Sequence, residues 1–216
     1  NAETPDPVDG VIERDANGRP NGRLFRMDQW LGTRTTSPIL DLGPVSAALA
    51  GQGVTGVTDA THTNDAAQFL AFAARVRSGE LLQTVRVMTG LAVTDTAVGV
   101  AVGEHKIMLD EYRLPTLDKL VARIRHAHDA ERRGVAIHCL TRIEFLLAMV
   151  ALREAGTSRA DRLEHASIVP PESIAELSSL GVTVVSQPSL VFTRGDRYRA
   201  DVAGAVHSDL YRVATL

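Results

Sequence analysis

The chain of 216 residues has a single cysteine, Cys139. No disulfide can form within it, and a reducing, cytoplasmic setting is the expectation. Long apolar runs are missing as well. The longest, Phe145 to Leu152, falls far short of the roughly 20 residues a spanning helix needs, so no membrane partner is expected. Charge of one sign is also missing. Lys plus Arg is 23 against 26 for Asp plus Glu, a net charge of −3, and no basic run occurs. Nucleic acid and anionic lipid surfaces are therefore not expected partners. No glycine-rich loop follows the first candidate strand, which argues against a phosphate-cradling nucleotide site. The first residues do not read as a charged-then-apolar signal segment.

What is present suits one globular domain or a large part of one. The composition is 44% hydrophobic and 23% charged, too apolar for a disordered chain. The sequence opens at Asn1, its first methionine is Met27, and it stops at Leu216 within a helix-like pattern. The expectation is an internal fragment of a longer protein.

Residues 1–45 are punctuated by Pro5, Pro7, Gly10, Gly18, Pro20, Gly22, Gly32 and Pro38. They read as an irregular surface segment, an insert preceding a regular domain at 46–216. From there strand and helix patterns alternate. Val54–Asp59 is β-branched, and Asn64 caps a helical stretch to Ser78, stopped by Gly79. Leu82–Met88 alternates as a strand, and another strand lies within Val98–Leu109. Thr116 opens a helix with Leu117, Leu120, Val121 and Ile124 on one face, with Gly134 as its stop. Val135–His138 is a buried-type strand, and Ile143–Ala155 an apolar helix ended by Gly156. Arg162–His165 is a short strand. Pro170-Pro171-Glu172 opens a helix ending at Leu180 and Gly181. Val182–Ser186 is a last strand, broken by Pro188. Strands alternating with helices of this length imply a parallel α/β sheet. Two topologies fit: an open doubly wound sheet, and an incomplete (β/α)8 TIM-type barrel of five or six strands. An incomplete barrel exposes strand edges, so self-association into a homo-oligomer is an expectation.

Three residues hold matching places in consecutive units. Lys106 lies in the strand His105–Asp110, His138 ends Val135–His138, and His165 ends Arg162–His165. In a parallel barrel the C-terminal strand ends converge, and catalytic groups collect there. Imidazoles are common ligands of zinc-like ions, and a strand-end lysine can serve as a charge, a base or, once carbamylated, an anionic ligand. The plainer alternatives are hydrogen-bonded structural histidines and a solvated edge lysine. His126 and His128 spell His-x-His but read as helix residues. Positions two apart on a helix point about 200° apart and cannot share a metal, so both read as surface residues. Asp59 and His62 follow a strand and serve either the mouth or the turn. Arg142 and Glu144 contact substrate or merely begin an exposed helix. Arg194-Gly195-Asp196 reads as a loop, and Ser208-Asp209 as a helix cap. Cys139, one position past His138, points to the opposite side, into packing.

Taken together, Thr55-Gly56-Val57-Thr58-Asp59-Ala60, Lys106-Ile107-Met108-Leu109-Asp110, Val135-Ala136-Ile137-His138-Cys139, Asp161-Arg162-Leu163-Glu164-His165-Ala166 with Pro170-Pro171, and Val184-Val185-Ser186-Gln187-Pro188 carry a resemblance. The sequence resembles the metal-dependent amidohydrolase superfamily, in particular its amidohydrolase-3 group, which includes N-substituted formamide deformylase-like proteins. The likeness extends over Gly10–Asp15 and Arg23-Leu24-Phe25. The resemblance implies a (β/α)8 barrel with a β-sandwich built from the chain ends, of which this chain would lack the first and last strands and the sandwich. It implies a hydrolase of C–N bonds in amides, formamides or cyclic amides, using a water activated by one or two divalent ions, often zinc in that family. By position, Lys106 would be the carbamylated lysine bridging two ions, His138 and His165 would be ligands, and Gln187 would face a small-molecule substrate, with Arg142 and Asp59 near it. The family's His-x-His pair and its general-base Asp would lie outside this chain, the latter beyond Leu216. Many relatives carry Gly-Asp after the His138 position, where Leu140-Thr141-Arg142 stands here, so the substrate is not implied. Two other readings stand beside this one: a non-catalytic piece or pseudoenzyme with an incomplete metal site, and a small-ligand-binding α/β protein.

Overall fold

The computed structural model describes residues 4–8, 10–35, 40–91, 93–94 and 96–215. Pro38 and the chain ends at Asn1 and Leu216 lie outside them. Two compact units are present, Asn1–Asp41 and Leu42–Leu216.

The first unit is more regular than its turn-rich sequence suggests. Strands β1 (Val11–Arg14) and β2 (Pro20–Phe25) pair antiparallel, with Val11 opposite Phe25 and Ile12 opposite Leu24. The reason lies in the turn. The Asp15 carboxylate accepts the N–H groups of Asn17 and Arg19, each at 2.9 Å, and Gly18 takes the left-handed conformation (φ 75°). Aspartate and glycine at those places favour such a reversal. A short helix, α1 (Asp28–Gly32), follows. The expectation of an irregular segment over 1–45 is corrected here, and the division between units falls after Asp41.

The second unit begins with α2 (Gly43–Gly51) and continues as β3 (Gly56–Asp59), α3 (Ala66–Ser78), β4 (Thr84–Thr89), β5 (Val100–Met108), α4 (Leu117–Asp129), β6 (Val135–Cys139), α5 (Arg142–Ala155), β7 (Arg162–His165), α6 (Ile174–Leu180), β8 (Thr183–Val185) and α7 (Pro188–Asp201). Strands β3 to β8 form one six-stranded sheet in sequential order, every pairing parallel. The sheet curls as an open half-barrel. Sequential parallel order with crossover helices distinguishes it from a doubly wound sheet, in which the strand order reverses at a switch point.

Local chemistry explains the boundaries. Asp65 caps α3 through a reciprocal pair with Gln68, and Gly79 ends it in the left-handed region, the start and stop such helices favour. Thr141 and Glu144 form the same reciprocal cap at α5. Helix α4 ends at Asp129, not at Gly134. That glycine answers a packing need instead, because a Cβ there would sit 2.4 Å from the Ala160 carbonyl oxygen. Residues 194–196 are helical, within α7, not a loop. Pro188 lies in the first turn of α7, where a missing N–H costs no helical bond. Ser208-Asp209 ends a 3-10 turn over Gly204–Asp209 and caps no helix; turns follow it.

Register assigns the two faces of the sheet. Ile107, Ile137, Leu163 and Val184 lie side by side on one face and pack with Leu120, Ile124, Phe145, Met149 and Leu152 of the helices. A second apolar cluster joins Val85, Val87 and Val100 to Phe69 and Ala73 of α3. The opposite face is charged: Glu104, Lys106 and Glu164 point to it, each buried. Among the described residues no helix is long and apolar enough to cross a membrane.

Candidate metal centre

The inner face of the sheet places the site. Lys106 of β5 is two residues behind His138 of β6 in register, since Lys106 pairs with Ala136 and Met108 with His138. Both side chains fall on the charged face by the two-residue alternation of a strand. His165 does not follow from alternation. It pairs in register with Cys139, whose side chain is buried on the helix side, so a regular strand would turn it away from His138. The backbone corrects this. His165 and Ala166 have φ of 69° and 43°, a left-handed conformation that residues with a Cβ seldom adopt and that collects at functional sites. The turn brings the His165 ring edge-on to His138, with centroids 4.6 Å apart.

Protonation states follow from the surroundings. Burial, and then the nearby His165, Lys106 and His62, push His138 down to about 4. It is a neutral imidazole near pH 7, the form that offers a lone pair. His165 Nδ1 is hydrogen-bonded to the Gln187 side-chain oxygen. That oxygen accepts, so Nδ1 carries a proton and Nε2 is the ring nitrogen left for another partner. Metal-binding histidines are commonly oriented in this way by an outer acceptor. Lys106 is 3% exposed. Burial, the largest cause, lowers its pKa, opposed by the Glu164 carboxylate. Glu164 itself is held by Arg162 on the same strand, so the lysine does not monopolise it.

Lys106, His138, His165 and Gln187 are thus brought together at the C-terminal end of the sheet. Asp59 and Arg142 are otherwise engaged. The Asp59 carboxylate accepts from Thr61 N–H (2.9 Å) and Asn64 Nδ2 (2.7 Å), closing its own loop. Arg142 pairs with Glu172 (2.9 Å) and lies 3.9 Å from Asp209. Glu144 is no exposed helix start: it is buried and accepts from the N–H groups of Glu111, Leu140 and Thr141. His128 is not a surface residue either. Its Nε2 lies 2.9 Å from the fully buried Asp161. Two further residues join the site: His62, which the sequence assigns to either the mouth or the turn, and Glu164, which it does not single out. His62 sits close enough to feel Lys106, and Glu164 shares the face of His138. Strand alternation could have found Glu164; His62 is placed by its loop, which has no periodic signal.

Cys139 is fully buried, and its thiol is pushed up to about 12, chiefly by that burial. It is expected to resist alkylation in the native protein at pH 8 and to react fully once unfolded. Rapid labelling of the native thiol would contradict this placement.

The donor set fits part of a metal site. Two imidazoles stand at the sheet mouth beside a buried lysine. Among the described residues, however, no three His, Cys, Asp or Glu side chains are grouped to hold an ion. A catalytic ion generally takes three protein ligands, so these residues would need further donors.

No family model and no curated protein matches the sequence. Solved structures do. An uncharacterized metal-dependent hydrolase from Pyrococcus furiosus is similar over 99% of this chain and 51% of its own, with TM-score 0.70 and 18% identity. An uncharacterized metal-dependent hydrolase from Pyrococcus horikoshii OT3 is similar over 79% of this chain and 41% of its own, with TM-score 0.64 and 19% identity. The chain spans about half the length of these proteins or less, and at such identities the likeness is one of fold.

Proposed function

We propose that this chain is the central part of a metal-dependent hydrolase that cleaves C–N bonds of amides, formamides or cyclic amides. The observation that carries the reading is the convergence of His138, His165 and Lys106 at the C-terminal mouth of a sequential parallel sheet. The fold likeness to two proteins described as metal-dependent hydrolases supports it, as does the resemblance of the strand-end motifs to the amidohydrolase-3 group. On this reading the six strands belong to a (β/α)8 barrel, and the remaining ligands and general base come from outside this chain.

The residues divide the work. His138 and His165 would present ring nitrogens to the ion, and Gln187 holds Nδ1 of His165. Lys106, its proton weakened by burial, could as the free amine add carbon dioxide, releasing a proton to solvent, and would then offer an anionic carbamate oxygen to a divalent ion. A divalent ion, zinc in this proposal, acidifies a water and polarises the scissile carbonyl when bound. His62, close enough to Lys106 to feel its charge, would line the approach of substrate on this reading.

Lys106 and Lys119 are the only lysines among these 216 residues, so two variants separate them. The intact protein, supplied with 13C-bicarbonate and zinc, should show one lysine carbamate resonance. It should vanish in Lys106→Ala and persist in Lys119→Arg, and amide or formamide hydrolysis should vanish with it. Zinc-loaded protein that hydrolyses no amide, formamide or cyclic amide would defeat the reading. The partial donor set favours a second reading, a non-catalytic site. Stoichiometric metal retained by this chain alone after dialysis would count against it. The edges at β3 and β8 are open within the sheet and support self-association of the isolated chain.

A further inference from the structure

Behind Lys106, on the helix side of the sheet, lies a polar network that the chemistry above does not use. Arg123 of α4 donates from Nη2 to the Lys106 carbonyl (3.2 Å) and from Nε to His105 Nε2 (3.1 Å). A guanidinium only donates. His105 Nε2 must therefore accept, and its proton sits on Nδ1, 2.9 Å from the Glu131 carboxylate. Glu131 also pairs with Arg133, which donates to the Gly103 carbonyl at 3.2 Å. Each member fixes the next, so the Arg123 fork is held in one orientation.

Gly90 marks where this fork points. Its N–H donates to the His62 carbonyl at 3.0 Å. A Cβ on Gly90 would lie 2.9 Å from that carbonyl oxygen, 3.0 Å from Arg123 Nη2 and 3.0 Å from the Lys106 carbonyl oxygen. One guanidinium thus sits where three segments meet: the end of β4, the strand carrying Lys106, and the loop carrying His62. Only a residue without a side chain leaves room for it.

We propose that Arg123 is a positioning residue. Through the Lys106 carbonyl and the Gly90 junction it sets Lys106 and the His62 loop relative to each other, with His105, Glu131 and Arg133 fixing its angle. Its effect on turnover rests on the hydrolase reading above; its effect on geometry does not. A role limited to stability would instead act on the whole domain.

The test compares Arg123→Met, Arg123→Lys and Gly90→Ala in the intact protein, with Arg125→Met on the same helix as control. Arg125 is bonded to the Glu154 carbonyl at an exposed position. In Arg123→Met the Gly90 amide should exchange roughly tenfold faster, while Ile137 and Leu163 in the core strands keep their rates. The ring nitrogen shifts of His62 and His138 should move, and those of His207, bonded to the Val202 carbonyl, should not. The kcat should fall roughly 10–100-fold with KM little changed, as for outer partners of a site. Arg123→Lys should fail to rescue, because one ammonium cannot reproduce the planar fork. Gly90→Ala keeps every charge and should give the same local pattern by displacing the fork. Full rescue by Arg123→Lys would overturn the proposal, as would uniform acceleration of all amides with unmoved rings. If the wild type hydrolyses nothing, the hydrolase reading falls, and the exchange and ring shifts still decide the role of Arg123.

Discussion

His165→Ala in the intact protein is expected to keep the fold and lose the metal. The side chain is half-buried at the mouth, and its recorded partners are Gln187 and His138, so the apolar clusters behind the sheet are untouched. Alanine inherits the same left-handed backbone (φ 69°), so the substitution adds little new strain. What it removes is one of the two adjacent imidazoles. Loss of an outer partner commonly lowers metal affinity or activity roughly 10–100-fold. Loss of a ligand should exceed that, and Gln187→Ala should fall inside it, because the ring remains but its Nδ1 is no longer held. Calorimetric zinc titration and kcat/KM of the two variants check this ordering. If His165→Ala binds zinc as the wild type does, His165 is not a ligand and the proposed site loses half of its imidazole pair.

Much of the half-barrel was legible because its signals are local and repeated. The apolar face of α4, the β-branched runs of β6 and β8, and glycines after α3, α5 and α6 each mark an element through its own short-range chemistry. Elements without such signals went unread. Helix α7 buries no residue, so it has no apolar stripe, and Pro188 and Gly195 resemble breakers. The β1–β2 hairpin is short and mostly exposed, so alternation says little. The Thr141-Arg142-Ile143-Glu144 run does spell a helix-start signature, yet the burial of Glu144 depends on Glu111, which is distant in sequence. The site shows the same division. Strand ends nominated Lys106, His138 and His165, but the meeting of the two rings depends on backbone angles at His165 and Ala166 that reverse the expected face. No pattern of residue types specifies those angles. The role of His128 was hidden for a similar reason, since its partner Asp161 lies 33 residues away, just before β7.

That partner yields the largest expected effect on stability. Asp161 is fully buried. Its Oδ1 accepts from His128 Nε2 and from Val135 N–H, each at 2.9 Å, and its Oδ2 from Ser158 N–H at 2.8 Å. One carboxylate therefore joins the end of α4, the first residue of β6 and the turn before β7. Asp161→Ala leaves three donors without their acceptor in the interior. A buried donor left without its acceptor costs about 1–3 kcal/mol, so the three together take a large share of the roughly 5–15 kcal/mol that holds a typical domain. At this chain length that corresponds to a fall in Tm of roughly 10 °C. Asp161→Asn keeps one acceptor oxygen but turns a donor toward a donor, and should fall between the alanine variant and the wild type. Thermal and urea unfolding of this chain measure both. A loss below about 1 kcal/mol in Asp161→Ala would mean that water replaces the carboxylate at little cost. Asp161 precedes β7, whereas His165 closes it, so the carboxylate stands at the end of the strand away from the imidazole pair. A variant that remains folded should therefore retain the zinc affinity of the wild type, separating the residues that hold the sheet from those proposed to hold the ion.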